Sequence, residues 1–161
     1  DLPEMAVGAV QRFRTSAELR GIEIRWNPDE TGAVPPVWGD RDRLAQILNN
    51  LLSNALRYTP DGGWIQLELE QRAGWLTLTV HDNGPGIPNQ TLPYIFDRFY
   101  RADASRSREE GGSGLGLAIA RRLAQAHNGE LNAANHPQGG AMISLRLPAG
   151  SQRATDLKPE G

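Results

Sequence analysis

Residues 40–59, DRDRLAQILNNLLSNALRYT, restrict the possible folds of this chain more than any other segment. Apolar residues recur there at intervals of three and four, which is the spacing of a helix that buries one face. They are Leu44, Ile47, Leu48, Leu51, Leu52 and Ala55. Asp40 is suited to cap the start of this helix, and the run PDGG at residues 60–63 predicts its end. The segment therefore predicts an amphipathic helix against which a core packs.

A second, polar stripe runs beside the apolar face of this helix. Asn50, Asn54 and Arg57 follow one another at intervals of four and three, so they share one side of the helix, and Tyr58 comes next. One interpretation is that these residues meet water at the margin of the core. However, amide oxygens suit Mg²⁺, a guanidinium binds phosphate, and an aromatic ring stacks on a base. Two asparagines one turn apart favour a site for a magnesium nucleotide.

The rest of the chain mixes helix and strand patterns. We predict helices over residues 1–20, 90–96 and 115–127, and strands over residues 22–26, 64–70, 75–80, 130–134 and 141–147. Because most strands alternate apolar and polar residues, we expect an antiparallel-rich sheet with one face under helices and the other nearer water. Residues 100–114 are polar and glycine-rich, which predicts a mobile loop, and residues 151–161 have the patternless look of a frayed tail.

Residues 82–86, DNGPG, directly follow a predicted strand. On its own this run is typical of a tight turn. The functional interpretation is that Asp82 accepts a hydrogen bond from the amino group of adenine, because a carboxylate only accepts and that amine only donates. Gly84 and Gly86 then let the backbone approach the ring without obstruction by side chains.

A second glycine-rich run, GGSGLG at residues 111–116, opens the third long helix. Flexible hinges have similar sequences, but glycines before a helix also expose amide donors at the positive end of the helix dipole, where phosphates bind. The run lacks the Lys-Ser/Thr pair of a Walker loop, and no strand leads into it as in a Rossmann motif. We expect Arg101 to reach a terminal phosphate from the edge of the loop. Nearby, Phe96 and Phe99 are predicted to pin the base of the loop to the core.

Composition excludes several other functions. The net charge of −2 argues against nucleic acid as the main partner, and the absence of cysteine excludes disulfides and thiolate chemistry. No apolar run approaches the 18 or more residues of a membrane span, and the amino terminus lacks a signal-peptide pattern. The length of 161 residues suits one domain, and the missing initiator Met leads us to expect a piece of a longer protein.

These motifs, in this order, resemble the catalytic and ATP-binding domain of sensor histidine kinases, whose superfamily includes Hsp90, MutL and gyrase B. Residues 50–60 resemble the asparagine box, residues 82–86 the first glycine box, residues 95–101 the phenylalanine box and residues 112–116 the second glycine box. The resemblance extends over residues 1–148.

The resemblance implies an α+β fold: a two-layer α/β sandwich of the Bergerat (GHKL) type, with a mixed, mostly antiparallel sheet covered on one face by three helices. It also implies that residues 1–150 form the ATP-binding catalytic domain and residues 151–161 a flexible tail.

Roles follow from the same resemblance, residue by residue. Asn54 is similar to the catalytic asparagine that binds Mg²⁺, and Asn50 to its companion near the metal and the phosphates. Arg57 matches a phosphate contact, Tyr58 a ring packed against adenine, and Asp82 the aspartate that reads adenine.

The resemblance extends to the lid and its flanks. Arg101 resembles the catalytic arginine of the lid, which approaches the terminal phosphate. The remaining residues implied to bind the nucleotide are Gly84, Gly86, Ile87, Gly112, Ser113, Gly114, Leu115 and Gly116.

The implied enzyme is a protein histidine kinase that binds Mg-ATP and donates its γ-phosphoryl group to a histidine on a separate dimerisation domain upstream. His81, His127 and His136 lack the helical context of such an acceptor, so we expect ATP binding without self-phosphorylation. The expected partners are that domain and, indirectly, a response regulator, but no nucleic acid. We expect a monomeric fragment of a homodimeric, membrane-bound sensor whose catalytic portion is cytoplasmic. The alternatives are an ATPase-driven clamp and a non-catalytic nucleotide-binding regulatory module.

Overall fold

The computed structural model of the protein describes residues 1–28, 34–100 and 114–150. The tail predicted over residues 151–161 lies outside the described residues, and so does the predicted mobile loop apart from its two ends. Within the described ranges, no helix is both long enough and apolar enough to cross a membrane.

Three α-helices and five strands lie within the residues that the structure describes, close to the predicted bounds. The helices are α1 (Leu2–Glu18), α2 (Arg41–Tyr58) and α3 (Gly116–Ala126). The strands are β1 (Glu23–Asn27), β2 (Trp64–Arg72), β3 (Trp75–Asp82), β4 (Glu130–Asn135) and β5 (Ala141–Pro148). All of these elements were predicted from periodicity, and their existence and type are confirmed.

The short helix predicted over residues 90–96 is reduced to a single 3₁₀ turn, Leu92–Tyr94. The Tyr94 N–H donates to the Thr91 carbonyl and the Asp97 N–H donates to the Tyr94 carbonyl, both across three residues. The segment thus folds as a series of tight turns instead of a continuous α-helix.

The five strands form one mixed sheet in the order β1-β2-β3-β5-β4. Only the β1–β2 pair is parallel among the pairs that the structure describes. The β2–β3 hairpin turns at Ala73 and Gly74, which both have positive φ (49° and 79°), as a two-residue turn that matches strand twist requires. The predicted mixed, mostly antiparallel sheet is confirmed.

Helix α2 lies at the centre of the core. Its six predicted apolar residues are all buried. They pack with buried side chains of β2, β3 and β5, such as Leu67, Leu78 and Leu145. Fully burying each leucine contributes about 1.5–3 kcal/mol, so this interface anchors the helix that bears the polar stripe of Asn50, Asn54 and Arg57.

Both ends of α2 are held by specific hydrogen bonds. As predicted, Asp40 caps the start: its Oδ1 accepts the N–H groups of Asp42 and Arg43 at 2.9 and 3.2 Å. At the other end, the Arg20 guanidinium donates to the Thr59 carbonyl at 2.7 Å and contacts the Asp61 carboxylate at 2.7 Å. These contacts fix the position of the final turn of α2, and nothing in the sequence pattern pointed to Arg20.

Candidate functional site

The polar stripe of α2, the loop of residues 82–87 and the start of α3 meet at one side of the molecule. A Cβ added at Gly84 would lie 2.6 Å from the Tyr58 carbonyl oxygen, so the 82–87 loop rests against the end of α2. A Cβ added at Gly116 would lie 3.6 Å from the Oδ1 of Asn50, so the first turn of α3 faces the middle of α2. The structure thus brings together three segments that are far apart in sequence.

Asp82 ends β3 and is buried, with 4% of its surface exposed. Its Oδ1 accepts the N–H groups of Gly84 at 2.8 Å and Ala141 at 3.4 Å. Burial raises the pKa of the Asp82 carboxyl, while those two backbone donors and the nearby His81 partly lower it again. Both backbone contacts are to Oδ1, which leaves the acceptor capacity of Oδ2 for a ligand.

The far end of the 82–87 loop is held by Asn135, the last residue of β4. The Ile87 N–H donates to Asn135 Oδ1 at 2.7 Å, and Asn135 Nδ2 donates to the Ile87 carbonyl at 2.6 Å. Gly86, which lies between Pro85 and Ile87, has a φ of +77°, and a Cβ there would lie 2.9 Å from Asn135 Oδ1. Sequence reasoning missed Asn135, because nothing in the pattern links positions 87 and 135.

The β4–β5 hairpin also supports the start of this loop. A Cβ added at Gly140, whose φ is +85°, would overlap the Asp82 carbonyl oxygen. Glycine is therefore required at position 140 for the hairpin to lie against Asp82, and this residue was missed as well. The signal that could have pointed to it is the Gly-Gly pair directly before β5.

The polar stripe has the geometry that its spacing predicts. Asn50, Asn54 and Arg57 are half-buried, whereas Tyr58 is 45% exposed at the end of α2. Asn50 Nδ2 is buried and finds no hydrogen-bond partner among the residues that the structure describes. Since buried polar groups are rarely left unpaired, the Asn50 amide is a candidate hydrogen-bond donor to a ligand.

The start of α3 has no side-chain cap. Leu115 occupies the cap position, and among the described residues its side chain makes no capping hydrogen bond, so the cap residue does not satisfy the first N–H groups of the helix. Gly114 and Gly116 flank it. Arg101, Gly112 and Ser113, also predicted to bind the nucleotide, lie outside the described residues.

The aromatic segment before the predicted loop is only partly as predicted. Phe96 packs against the core, and the Arg121 guanidinium lies 5.5 Å from its ring centroid. Phe99, in contrast, is 70% exposed and has a φ of +61°, so the interpretation that it pins the loop to the core is wrong. Its backbone contributes instead: the Phe99 N–H donates to the Gly114 carbonyl at 3.1 Å.

The histidines make contacts within the fold. His81 stacks on His136 with ring centroids 4.3 Å apart, and His127 Nδ1 contacts the Leu123 carbonyl at 2.7 Å. Within residues 1–28, 34–100 and 114–150 there is no group of three or more His, Cys, Asp or Glu side chains able to hold a metal ion. In the polar stripe, the side-chain oxygens that could hold a cation are those of the Asn50 and Asn54 amides.

Comparison with known proteins finds a family whose model matches most of this chain. Residues 39–151 match the model described as "Histidine kinase-, DNA gyrase B-, and HSP90-like ATPase". The chain is 46% identical over 148 residues to the signal transduction histidine-protein kinase BaeS of Escherichia coli, covering 91% of this chain and 30% of that protein. The chain thus spans about a third of the length of the curated relatives it matches.

Solved structures are similar over nearly the whole chain. The mycobacterial sensor histidine kinase MprB superposes with a TM-score of 0.79 at 31% identity, covering 93% of this chain and 95% of that one. Full-length ShkA in complex with AMPPNP gives a TM-score of 0.80 at 29% identity, covering 94% of this chain and 30% of that one. Together with the family match, these similarities confirm the expected α/β sandwich.

Proposed function

Since the chain belongs to the family of histidine kinase-, DNA gyrase B- and HSP90-like ATPases, we propose that it binds Mg-ATP and donates the γ-phosphoryl group to a histidine on a separate dimerisation domain. One observation supports this more than any other. The buried Asp82 carboxylate and the unpartnered Asn50 amide lie at two ends of a site formed by the 82–87 loop, α2 and α3. The Asp82 carboxylate suits recognition of a base, and the Asn50 amide suits contact with phosphates.

The base is recognised by Asp82. A carboxylate held by two backbone N–H groups at one oxygen keeps its position, and its other oxygen accepts the adenine amino group. Guanine presents a carbonyl at the equivalent position, which the carboxylate repels. Gly84, Gly86 and Ile87 bring the backbone to one edge of the ring, and Tyr58 covers a face of it with its exposed side chain.

The phosphates and the metal are held at the other end. Asn54 and Asn50 offer amide oxygens to Mg²⁺, and the residues described there include no carboxylate cluster that would hold the ion without the nucleotide. The uncapped N–H groups at Gly114, Leu115 and Gly116, with Gly112 and Ser113 before them, bind phosphate oxygens.

The bound nucleotide would supply a transferable phosphoryl group, and the chain binds and orients the nucleotide. Arg57 neutralises phosphate charge from the polar stripe, and Arg101 approaches the terminal phosphate where charge develops during transfer. In this proposal Asn54 and Arg101 are the catalytic residues.

The acceptor lies on another domain. Residues 1–150 form the donor domain and residues 151–161 a tail, while an upstream dimerisation domain bears the acceptor histidine. A response regulator then takes the phosphoryl group from that histidine. The fragment is monomeric, its parent protein is a homodimer, and the donor domain works in the cytoplasm.

Calorimetric titration of the chain with Mg-ATP and Mg-GTP tests the binding half of this proposal. We expect ATP to bind and GTP to bind at least about tenfold more weakly, which corresponds to one unmade hydrogen bond to a charged group. Equal affinity for the two nucleotides would remove Asp82 from base recognition, and no binding of either would overturn the proposed function.

Incubation with γ-labelled ATP tests the transfer half. The chain alone should acquire no acid-labile, base-stable label, because in-line transfer needs an acceptor. Adding the dimerisation domain of the natural full-length protein should place label on that domain. Label on His81, His127 or His136 of the isolated chain would contradict the assignment of the acceptor to another domain.

A further inference from the structure

The side chain of Asn135 pairs with the backbone of Ile87 as a second strand would. The Ile87 N–H donates to Asn135 Oδ1 at 2.7 Å and the Ile87 carbonyl accepts from Asn135 Nδ2 at 2.6 Å, although 48 residues separate the two positions. Two directly opposed residues of an antiparallel ladder exchange the same pair of bonds. One amide side chain therefore does for Ile87 what a neighbouring backbone does within a sheet.

We propose that Asn135 is a positioning residue that holds the 82–87 loop in the conformation that reads the base. The proposal rests on the proposed function, since it assigns the loop to adenine recognition. Asn135 acts through Ile87 and needs no contact with the nucleotide itself.

The two ends of the loop are held by different means. At the start, Asp82 still pairs with Ile65 in the β2–β3 ladder, and the Asn83 side chain accepts the Trp64 N–H at 2.8 Å. Beyond Gly84 the chain leaves the sheet: Pro85 has no N–H, and Gly86 has a positive φ that glycine adopts most readily. Backbone freedom at glycine makes the far end dependent on the Asn135 bonds for a single conformation.

The same hairpin that supplies Asn135 also touches the start of the loop. The His136 N–H donates to the Gly140 carbonyl at 3.0 Å and closes the β4–β5 turn. That turn sets Ala141 so that its N–H donates to Asp82 Oδ1 at 3.4 Å. The hairpin thus contacts Asp82 and Ile87 together and sets the distance between the two ends of the loop.

Two substitutions separate positioning from other roles. Asn135→Asp keeps an acceptor for the Ile87 N–H but places a second oxygen against the Ile87 carbonyl. Asn135→Ser removes both bonds without adding charge. Asn132→Asp is the matched control, because Asn132 is exposed on the same strand and the substitution adds the same charge.

We expect both Asn135 variants to bind Mg-ATP about tenfold more weakly than the parent, with Asn132→Asp within about twofold of it. Adenosine should lose affinity by the same factor as ATP, because the loop serves the base. If Asn135→Asp acted by repelling phosphates, ATP would lose more than adenosine, and that result would overturn the proposal.

Hydrogen exchange provides a readout that does not depend on the nucleotide. In both Asn135 variants the Ile87 amide should exchange at least about tenfold faster than in the parent, while amides of the β2–β3 ladder keep their rates. Unchanged exchange at Ile87, or Mg-ATP affinities within twofold of the parent in a folded variant, would refute the positioning role. Thermal melting, monitored by circular dichroism, identifies which variants are folded. If one Asn135 variant does not fold, the other still tests the positioning role.

The parent measurement separates the two proposals. A parent chain that binds no Mg-ATP overturns the proposed function and, with it, this inference. A parent that binds Mg-ATP while the folded Asn135 variants bind it equally well overturns the inference alone.

Discussion

The two ends of the site differ in how far the protein satisfies its own polar groups. At the base end, Asp82 accepts two backbone N–H groups and Asn135 pairs with both backbone groups of Ile87. At the phosphate end, Asn50 Nδ2 has no partner among the described residues, and no side chain caps α3 at Leu115. The base end is therefore already paired in the free fold, whereas the proposed function has the nucleotide supply the missing partners at the phosphate end.

This difference has an energetic meaning. A buried polar group without a partner costs about 1–3 kcal/mol, whereas a fully paired network stabilises one conformation. A protein that keeps an unpaired amide between two helices retains a cost that a ligand can relieve. Under the proposed function, selectivity for the base would therefore be a property of the free fold, and part of the affinity for phosphates would come from groups that the described residues leave unsatisfied.

Replacing Gly140 with alanine should have the largest effect on Mg-ATP affinity, because it disrupts the base end of the site, where the polar groups are already paired. The added Cβ would overlap the Asp82 carbonyl oxygen, so either the hairpin or Asp82 must move. We expect Mg-ATP affinity to fall by more than about a hundredfold, which is roughly 3 kcal/mol, together with a lower melting temperature.

Gly139→Ala is the control for this substitution. Gly139 also has a positive φ, +104°, but a Cβ there meets nothing within 4 Å. It therefore reports the backbone strain of alanine without the overlap. If calorimetry showed equal losses of Mg-ATP affinity in the two variants, the contact of Gly140 with Asp82 would have no bearing on the base end.

Asp82→Asn should come next. The amide keeps an acceptor for Gly84 and Ala141, but it also presents a donor to the adenine amine. Losing a hydrogen bond to a charged group corresponds to about ten- to a hundredfold in Mg-ATP affinity. Titration with ATP measures this loss, and an affinity equal to that of the parent would exclude Asp82 from base recognition.

The same variant should change how stability depends on pH. Burial raises the pKa of the Asp82 carboxyl above its unfolded value, so folding favours the protonated form. That contribution is fully present below the unfolded pKa and is lost as pH rises through the folded pKa. Asp82→Asn does not titrate, so its free energy of unfolding should improve relative to the parent as pH rises from about 4 to about 7. Urea unfolding without nucleotide at those two values tests the sign.

The elements around the site were predictable because each repeats a local period. Helix α2 follows from its apolar spacing to within a residue at each end, and its cap at Asp40 follows from the residue type. Alternation predicted β2 and β3, and a motif that directly follows a strand placed Asp82 at a strand end. Such patterns depend on residues close together in the sequence, so they can be recognised from the sequence alone.

The connections between elements were not predictable, because they join single polar residues over long distances. Arg20 holds the end of α2 from 39 residues away, and Asn135 holds Ile87 from 48 residues away. Neither pair leaves a periodic trace. The prediction for Phe99 was wrong for another reason. Its apolar type suggested burial, but its backbone has a positive φ, which bulky residues rarely adopt, and the ring lies at the surface.

A neighbouring pair of asparagines tests the phosphate end. Asn50→Ala removes the unpartnered amide, so the free protein should be no less stable than the parent, while Mg-ATP affinity falls about tenfold. Asn49→Ala removes an acceptor for the Arg12 Nε and Nη2 donors at 3.2 and 3.0 Å. It should cost about 0.5–1.5 kcal/mol of stability and leave Mg-ATP affinity unchanged. The opposite pattern in urea unfolding and titration would place the ligand-facing amide at position 49.

Removal of Mg²⁺ should have the smallest effect and should act on one end only. The described residues hold no carboxylate cluster for the ion, so its binding depends on amide oxygens and on the phosphates themselves. With EDTA present, ATP should bind severalfold more weakly, since the phosphate charge then loses the shielding of the ion and depends on the protein's own groups, such as Arg57, Arg101 and the helix amides. Adenosine reaches only the base end, so its affinity should not change. A loss of adenosine affinity on chelation would mean that the ion also shapes the 82–87 loop, and the two ends of the site would then be one coupled unit.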